Sequence, residues 1–306
     1  MTQDLKCGVV GAGVFGGYHA NQYAKLPGAR LAAVFDTHIE RARAVAEPHG
    51  AQAFTDMAAF LGAVDAVSVT SPATTHFGAA LAALTAGKAT YVEKPLAVSM
   101  DDAEALIAAA RKAGKPLGVG HQERMVFKAM GLFDVPEKPL RLEAIRRGTF
   151  SPRNLDVSCV LDLMIHDIDL ALALSGADAV SVEAQATVLH GPLADEVKAE
   201  AMFDDGLVAL FEASRVAEAR ERRMKIVYPS GEVEIDFLTR AFSNTTPFAL
   251  DPNFTETPIG KDPLGAALGA FVAAARGELD HLPAEAEEGA RALDLALAVE
   301  QAGQEC

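Results

Sequence analysis

Asp162, His166 and Asp169 lie in the mostly apolar stretch Val157–Leu174, VSCVLDLMIHDIDLALAL. Offsets of four and three put all three on one face of a helix. A carboxylate beside an imidazole fixes its tautomer and raises its basicity, which equips a general base. The same pattern also suits a solvated stripe on an amphipathic helix. A third reading is one metal ion shared by Asp and His four apart. No cluster of Cys, His or acids elsewhere completes a coordination shell, so no metal is expected. A second chemical group is Lys94 in Glu93-Lys94-Pro95. A lysine there can orient a hydroxyl and stabilise negative charge as its proton leaves. By spacing alone it is equally a solvated lysine beside a turn proline.

The third candidate is Gly11-Ala12-Gly13-Val14-Phe15-Gly16, a GxGxxG between an apolar run and a helical pattern. The first glycine makes the turn, the second admits a pyrophosphate to the backbone, and the third lets helix and strand pack closely. Free N–H groups and the positive end of the helix dipole then face the phosphates. Asp36 closes the next apolar run, where an acid holds the ribose hydroxyls of NAD and repels the extra phosphate of NADP. His38 and Arg41 are near enough in sequence to keep NADP open. The competing reading is a glycine-rich turn in an ordinary α/β protein.

These groups need a frame. Strands are expected at Lys6–Val10, Leu31–Phe35, Ala66–Thr70, Thr90–Val92 and Pro116–Val119. Helices are expected near Val14–Ala24, Ile39–Pro48, His76–Ala86 and Met100–Ala113, with Gly28, Gly87 and Gly114 after three of them as left-handed caps. This is the βαβα rhythm of a parallel sheet. After about residue 122 the pattern changes. A strand at Leu140–Arg146 and the Val157–Leu174 helix precede runs at Val180–Val188, Val197–Phe203, Val208–Arg215, Met224–Tyr228 and Val233–Phe237. Asp204-Asp205-Gly206 and Pro229-Ser230-Gly231 read as hairpin turns. Helices near Pro263–Arg276 and Ala284–Gln301 end the pattern. The fold class is therefore α/β: a Rossmann dinucleotide-binding domain over 1–122, then an α+β domain with a mostly antiparallel sheet over 123–306. The C-terminal helix is free to pack back on the first domain.

Composition excludes several functions. The chain has 306 residues, 50% of them apolar, enough for about two domains with a sizeable core. Its formal charge of −15 disfavours nucleic acid and anionic membrane surfaces. Arg146, Arg147 and Arg153 form a local group that could bind a diphosphate in bidentate fashion. They could equally pair with surface acids. Arg220 to Arg223 with Lys225 is a second group, read as a solvated strand end. Cys7, Cys159 and Cys306 make neither a disulfide framework nor a zinc motif and fit a reducing cytosol. No signal-peptide core follows the start. The uncharged run Ala66–Gly87 contains Pro72 and His76, against a membrane span.

Taken in order, the glycine loop, Glu93-Lys94-Pro95, Asp162-x-x-x-His166-x-x-Asp169 and the antiparallel second domain resemble the glucose–fructose oxidoreductase and inositol dehydrogenase (Gfo/Idh/MocA) family. The resemblance implies that Lys94, Asp162 and His166 are the catalytic set around a nicotinamide ring, with Asp169 structural or substrate-facing. It implies NAD held by Gly11, Gly13, Val14, Phe15, Gly16, Asp36, Thr70, Ser71, Pro72, His76, Glu93 and Lys94. Gly120-His121-Gln122-Glu123-Arg124, Arg147-Gly148-Thr149-Phe150-Ser151-Pro152-Arg153 and Asp156 resemble the branch that oxidises UDP-N-acetylglucosamine at C3. That implies a nucleotide-sugar substrate bound by Lys94, Glu123, Arg124, Arg147, Arg153, Asp162 and His166. It also implies a downstream PLP aminotransferase in diamino-sugar synthesis for lipid A or surface glycans, a homo-oligomer (dimer or tetramer) and a cytoplasmic location. The chain departs from the branch at Met125-Val126-Phe127, where Phe-Asn-Pro is usual, and at Ser158, where glycine is usual. The alternatives are a dehydrogenase of a free polyol such as inositol or of another nucleotide sugar, and a non-catalytic NAD-binding sensor. A sensor has no use for Lys94, Asp162 and His166.

Overall fold

Alternating apolar runs and helical patterns become a parallel sheet flanked by helices in the computed structural model. It describes residues 4–151 and 155–304; Pro152, Arg153 and Cys306 lie outside the described residues. The chain divides into two units. The first runs to Met125 and is joined by Asp262–Ala290; the second comprises Val126–Lys261 and the residues from Arg291. The sequence reading had instead a continuous second domain beginning at 123.

The first unit contains β1 (Leu5–Val10), α1 (Val14–Tyr23), β2 (Ala29–Phe35), α2 (Ile39–Ala46), β3 (Gln52–Phe54) and α3 (Met57–Ala63). It continues with β4 (Ala66–Val69), α4 (His76–Thr85), β5 (Ala89–Val92), α5 (Met100–Ala113) and β6 (Leu117–Val119), and α6 (Glu123–Met130) follows. The sheet order is β3-β2-β1-β4-β5-β6, with every neighbouring pair parallel. The order reverses between β1 and β4, the place where a doubly wound sheet opens a ligand crevice. Two elements, β3 and α3, are absent from the sequence reading because three and seven residues are too short to show a period. The short helix α6 was also missed.

What returns to this unit is α9 (Pro263–Ala275), which follows Val126–Lys261 of the second unit. Asp262 caps it by accepting from Gly265 N–H (2.9 Å) and is gripped by Gln22 Nε2 of α1 at 2.8 and 2.9 Å. Burial would raise the Asp262 pKa, but these donors and Lys25 hold it below its ordinary value. Leu268, Phe271 and Val272 then join Cys7, Val9, Tyr23 and Tyr91 in one core cluster. Burying each large side chain there contributes about 1.5–3 kcal/mol.

In the second unit are β7 (Arg141–Arg147), α7 (Ile165–Ser175), β8 (Ala179–Thr187), β9 (Glu196–Phe203) and β10 (Val208–Ser214). They are followed by β11 (Glu221–Tyr228), β12 (Gly231–Asp236), β13 (Phe242–Asn244), α8 (Pro258–Lys261) and the part of α10 (Ala286–Gln304) beyond Ala290. The sheet order is β13-β12-β11-β7-β10-β9-β8. Its neighbours are antiparallel except β7 and β10, which run parallel. The expected hairpins at Asp204–Gly206 and Pro229–Gly231 join β9 to β10 and β11 to β12.

Ion pairs in this unit fix the helix that bears Asp162 and His166. Arg146 donates to Asp167 from Nε (2.9 Å) and Nη2 (2.8 Å), with both side chains buried. Arg215, also buried, donates to Asp195 (2.6 Å) and to Val157 O (2.7 Å), just before the helix. Burial would raise the Asp195 pKa, but the N–H groups of His190 and Leu189 and the Arg215 guanidinium bring it below its usual value. Arg146→Met is expected to cost roughly 3–5 kcal/mol, because it leaves a buried carboxylate without its guanidinium. Arg146→Met combined with Asp167→Leu should recover most of that loss, and urea unfolding of the two variants measures the difference.

Candidate active site

Three strands of the first sheet end in one row: Val10 pairs with Val69, and Val69 with Val92. The residues that follow them are therefore neighbours. They are the glycine loop after β1, Thr70-Ser71-Pro72 after β4, and Glu93-Lys94-Pro95 after β5. This is the carboxyl edge at the β1/β4 switch point, where the topology places a ligand.

The loop is built for close approach. Gly11 has φ +95°, and a Cβ there would lie 2.7 Å from Ser71 N; a Cβ on Gly16 would lie 1.9 Å from Gly11 O. Thr70 Oγ1 donates to Val10 O (3.0 Å) and Gly11 O (2.9 Å), tying the turn to β4. Gly13 differs from both, since a Cβ there meets no atom within 4 Å. The space beside it is open, as a pyrophosphate needs. Beside that space Val14, Phe15 and Tyr18 are 46–54% exposed at the start of α1, a cost that a covering cofactor would remove. Asp36 Oδ2 accepts from Ala12 N–H (2.9 Å) and Oδ1 from His38 N–H (2.9 Å), so the acid is fixed at the end of β2. These residues fit a dinucleotide.

His76 was read as a cofactor residue, but its ring is buried and engaged with protein. Nδ1 lies 2.8 Å from Pro95 O, and Nε2 2.8 Å from Ser71 O. Burial pulls its pKa below the ordinary histidine value, although both carbonyls work the other way. Lys94 is half-buried. Glu93 is buried, and its Oε1 lies 2.9 Å from Nε2 of His19. The sequence reading missed His19.

Residues expected to bind substrate have partners of their own in the protein. Arg124 is buried and donates to Glu288 (2.6 Å) and Pro283 O (3.1 Å). Glu123 opens α6 and is half-buried. Arg146 and Arg147 do not form one group, because consecutive strand residues face opposite sides. Arg146 is buried against Asp167, whereas Arg147 is held by Glu212 and Glu221 on the other face. Arg153 lies outside the described residues.

The helix of the second unit departs from the single α-helix expected. Val160–Met164 is a π turn, and the α-helix begins at Ile165. Such widened turns are frequent at functional sites. Ser158 accepts from the N–H groups of Val160 (3.0 Å) and Leu161 (3.3 Å) and donates to Glu300 of α10. Burial raises the Glu300 pKa. Asp162 and His166 are half-buried, one on the π turn and one on α7, whereas Asp167 and Asp169 are buried. The first pair keeps access to solvent, and Asp167 is paired with Arg146. Cys7 and Cys159 are buried, and burial pushes both thiols up to about 12, so neither is a nucleophile. Among the described residues no group of three His, Cys, Asp or Glu is placed to hold a metal ion, and no helix is long and apolar enough to cross a membrane.

Comparison with known proteins follows the same division. Residues 5–121 match the model of the oxidoreductase family with an NAD-binding Rossmann fold, and residues 134–234 match the GFO/IDH/MocA C-terminal domain. The UDP-N-acetylglucosamine 3-dehydrogenase of Acidithiobacillus ferrooxidans is 38% identical over 238 residues, covering 76% of this chain and 74% of that protein. A solved structure of that enzyme aligns with a TM-score of 0.89 at 34% identity, over 99% of this chain and 98% of the other. The scyllo-inositol 2-dehydrogenase (NAD(+)) of Bacillus subtilis is 28% identical, over 78% of this chain and 75% of its own length.

The glycines make separable predictions. Gly16→Ala should lower the melting temperature by several degrees, because its methyl has no room. Gly13→Ala should melt as the parent does yet bind NADH at least tenfold more weakly, as followed by fluorescence titration.

Proposed function

This chain belongs to the Gfo/Idh/MocA oxidoreductase family, and from that premise we propose that its substrate is UDP-N-acetylglucosamine, oxidised at C3 to the 3-keto nucleotide sugar. The chain is an NAD-dependent sugar dehydrogenase. The observation that carries the substrate is the likeness to the Acidithiobacillus enzyme over nearly the whole of both chains.

When bound, NAD supplies the hydride acceptor at C4 of its nicotinamide, so the redox chemistry is the cofactor's. The chain's own residues position the sugar and handle the proton. His166 takes the C3 hydroxyl proton as general base. Asp162, four residues earlier in the widened turn, is the carboxylate assigned to orient the imidazole. Lys94 orients the hydroxyl and stabilises the negative charge that develops on its oxygen. One C–H hydride and one O–H proton leave, and a ketone remains. A ketone on a nucleotide sugar suits a PLP aminotransferase, which places the reaction in diamino-sugar synthesis for lipid A or another surface glycan. The enzyme works as a homo-oligomer in the cytoplasm on this reading.

A free polyol is the second reading, and one observation favours it. Two of the arginines expected at a diphosphate are committed to protein acids: Arg146 to Asp167, and Arg147 to Glu212 and Glu221.

The test is NADH formation from UDP-N-acetylglucosamine with an aminotransferase drawing off the ketone. The signal should require both NAD and the nucleotide sugar. His166→Ala should lower kcat roughly 10²- to 10⁴-fold while NADH affinity stays unchanged. Oxidation of inositols without any affinity for UDP would select the polyol instead.

A further inference from the structure

The two residues that flank Lys94 are each held by a buried imidazole. On the Glu93 side, His19 reaches from the inward face of α1, its Nε2 2.9 Å from Oε1. His19 is fully buried and its ring lies 5.9 Å from that of Tyr91. A Cβ on Gly120 would fall 2.7 Å from the Glu93 carboxyl carbon, so glycine there keeps the space the carboxylate fills. On the Pro95 side, His76 opens α4 and spans from Pro95 O to Ser71 O, 2.8 Å at each end. Pro95, Leu96 and Ala97 are buried, whereas Lys94 between the two clamps is half-buried.

We propose that His19 and His76 are positioning residues for Lys94. His19 anchors the side chain of residue 93, and His76 anchors the backbone of residue 95. This rests on reading Lys94 as the group that orients the substrate hydroxyl. No hydrogen-bonding group of the described residues reaches Nδ1 of His19. Its Nε2 is the ring atom that meets the Glu93 carboxylate. On the other side, His76 sits between the carbonyls of Pro95 and Ser71, and its single N–H when neutral donates to one of them. The backbone on both sides of the lysine is therefore held by buried side chains.

The experiment compares His19→Leu, His19→Gln and His76→Leu, each alone and combined with Lys94→Ala. The substrate is whichever sugar the parent enzyme oxidises. Misplacing a catalytic group by about an ångström costs on the order of 10²-fold. His19→Leu and His76→Leu should therefore lower kcat about 10- to 100-fold, with KM for NAD and NADH affinity within twofold of the parent. His19→Gln, which can still donate to Glu93, should recover most of the lost kcat and covers the case in which leucine prevents folding. In the Lys94→Ala background neither histidine change should lower activity further. A substrate-free arm measures acylation of Lys94 by acetic anhydride with mass spectrometry; His19→Leu should change its rate at least threefold while Lys112 keeps its own. Unchanged kcat, a full extra loss on top of Lys94→Ala, or glutamine no better than leucine would overturn the proposal. Parent-like turnover in Lys94→Ala alone would instead remove the role of Lys94 on which it rests.

Discussion

Everything in the first unit depends on how closely α1 may approach the turn that precedes it. Hydrogen is the largest substituent tolerated at position 16, because a methyl would sit inside the Gly11 carbonyl. That contact sets the height and rotation of α1 over the sheet, and the rest of the helix delivers its side chains accordingly. His19 meets Glu93, Gln22 meets Asp262, and the Tyr23 hydroxyl lies 2.6 Å from Ser68 Oγ. One short-range steric condition thus places the cofactor loop, the segment carrying Lys94 and the returning helix α9 together. A glycine that reads as a phosphate-binding feature acts equally as the spacer of the whole N-terminal packing.

The second unit solves a different problem, which is to keep a polar function on an apolar helix. Ionised groups inside protein are costly unless paired. Two buried carboxylates near this helix are paired: Asp167 with Arg146, and Asp195 with Arg215, which also holds the Val157 carbonyl. Those pairs hold the helix and its entry in place while Asp162 and His166 stay half-buried. The Arg146 guanidinium also lies 5.7 Å from the centre of the Phe237 ring, so packing restrains it as well as charge.

The features legible in the sequence were those whose cause is local. A glycine at 11, 13 and 16 after an apolar run has few physical explanations, and hairpin turns such as Asp204-Asp205-Gly206 carry their own conformational signature. What was not legible depends on partners far along the chain. Glu93 and His19 are 74 positions apart, and neither residue type announces the other. Arg146 and Arg147 looked like one basic group because adjacency in sequence hides the alternation of a strand. Asp167 was passed over because its partner Arg146 lies on a strand 21 positions earlier. The return of α9 had a signal that went unused. Pro263–Ala275 is apolar around its whole circumference, and such a helix must be enclosed on all sides.

That return also bears on the order in which the protein can be completed at the ribosome. The first segment of the nucleotide-binding unit is finished at Met125, but its core lacks Leu268, Phe271 and Val272 until Asp262–Ala290 has emerged. Nascent chains lengthen at about 5–20 residues per second, so the delay is on the order of ten seconds. During it the exit tunnel releases the strands of the other unit, and a six-stranded sheet waits with the seat of α9 uncovered. A chaperone that binds nascent apolar surface has its longest opportunity at that seat.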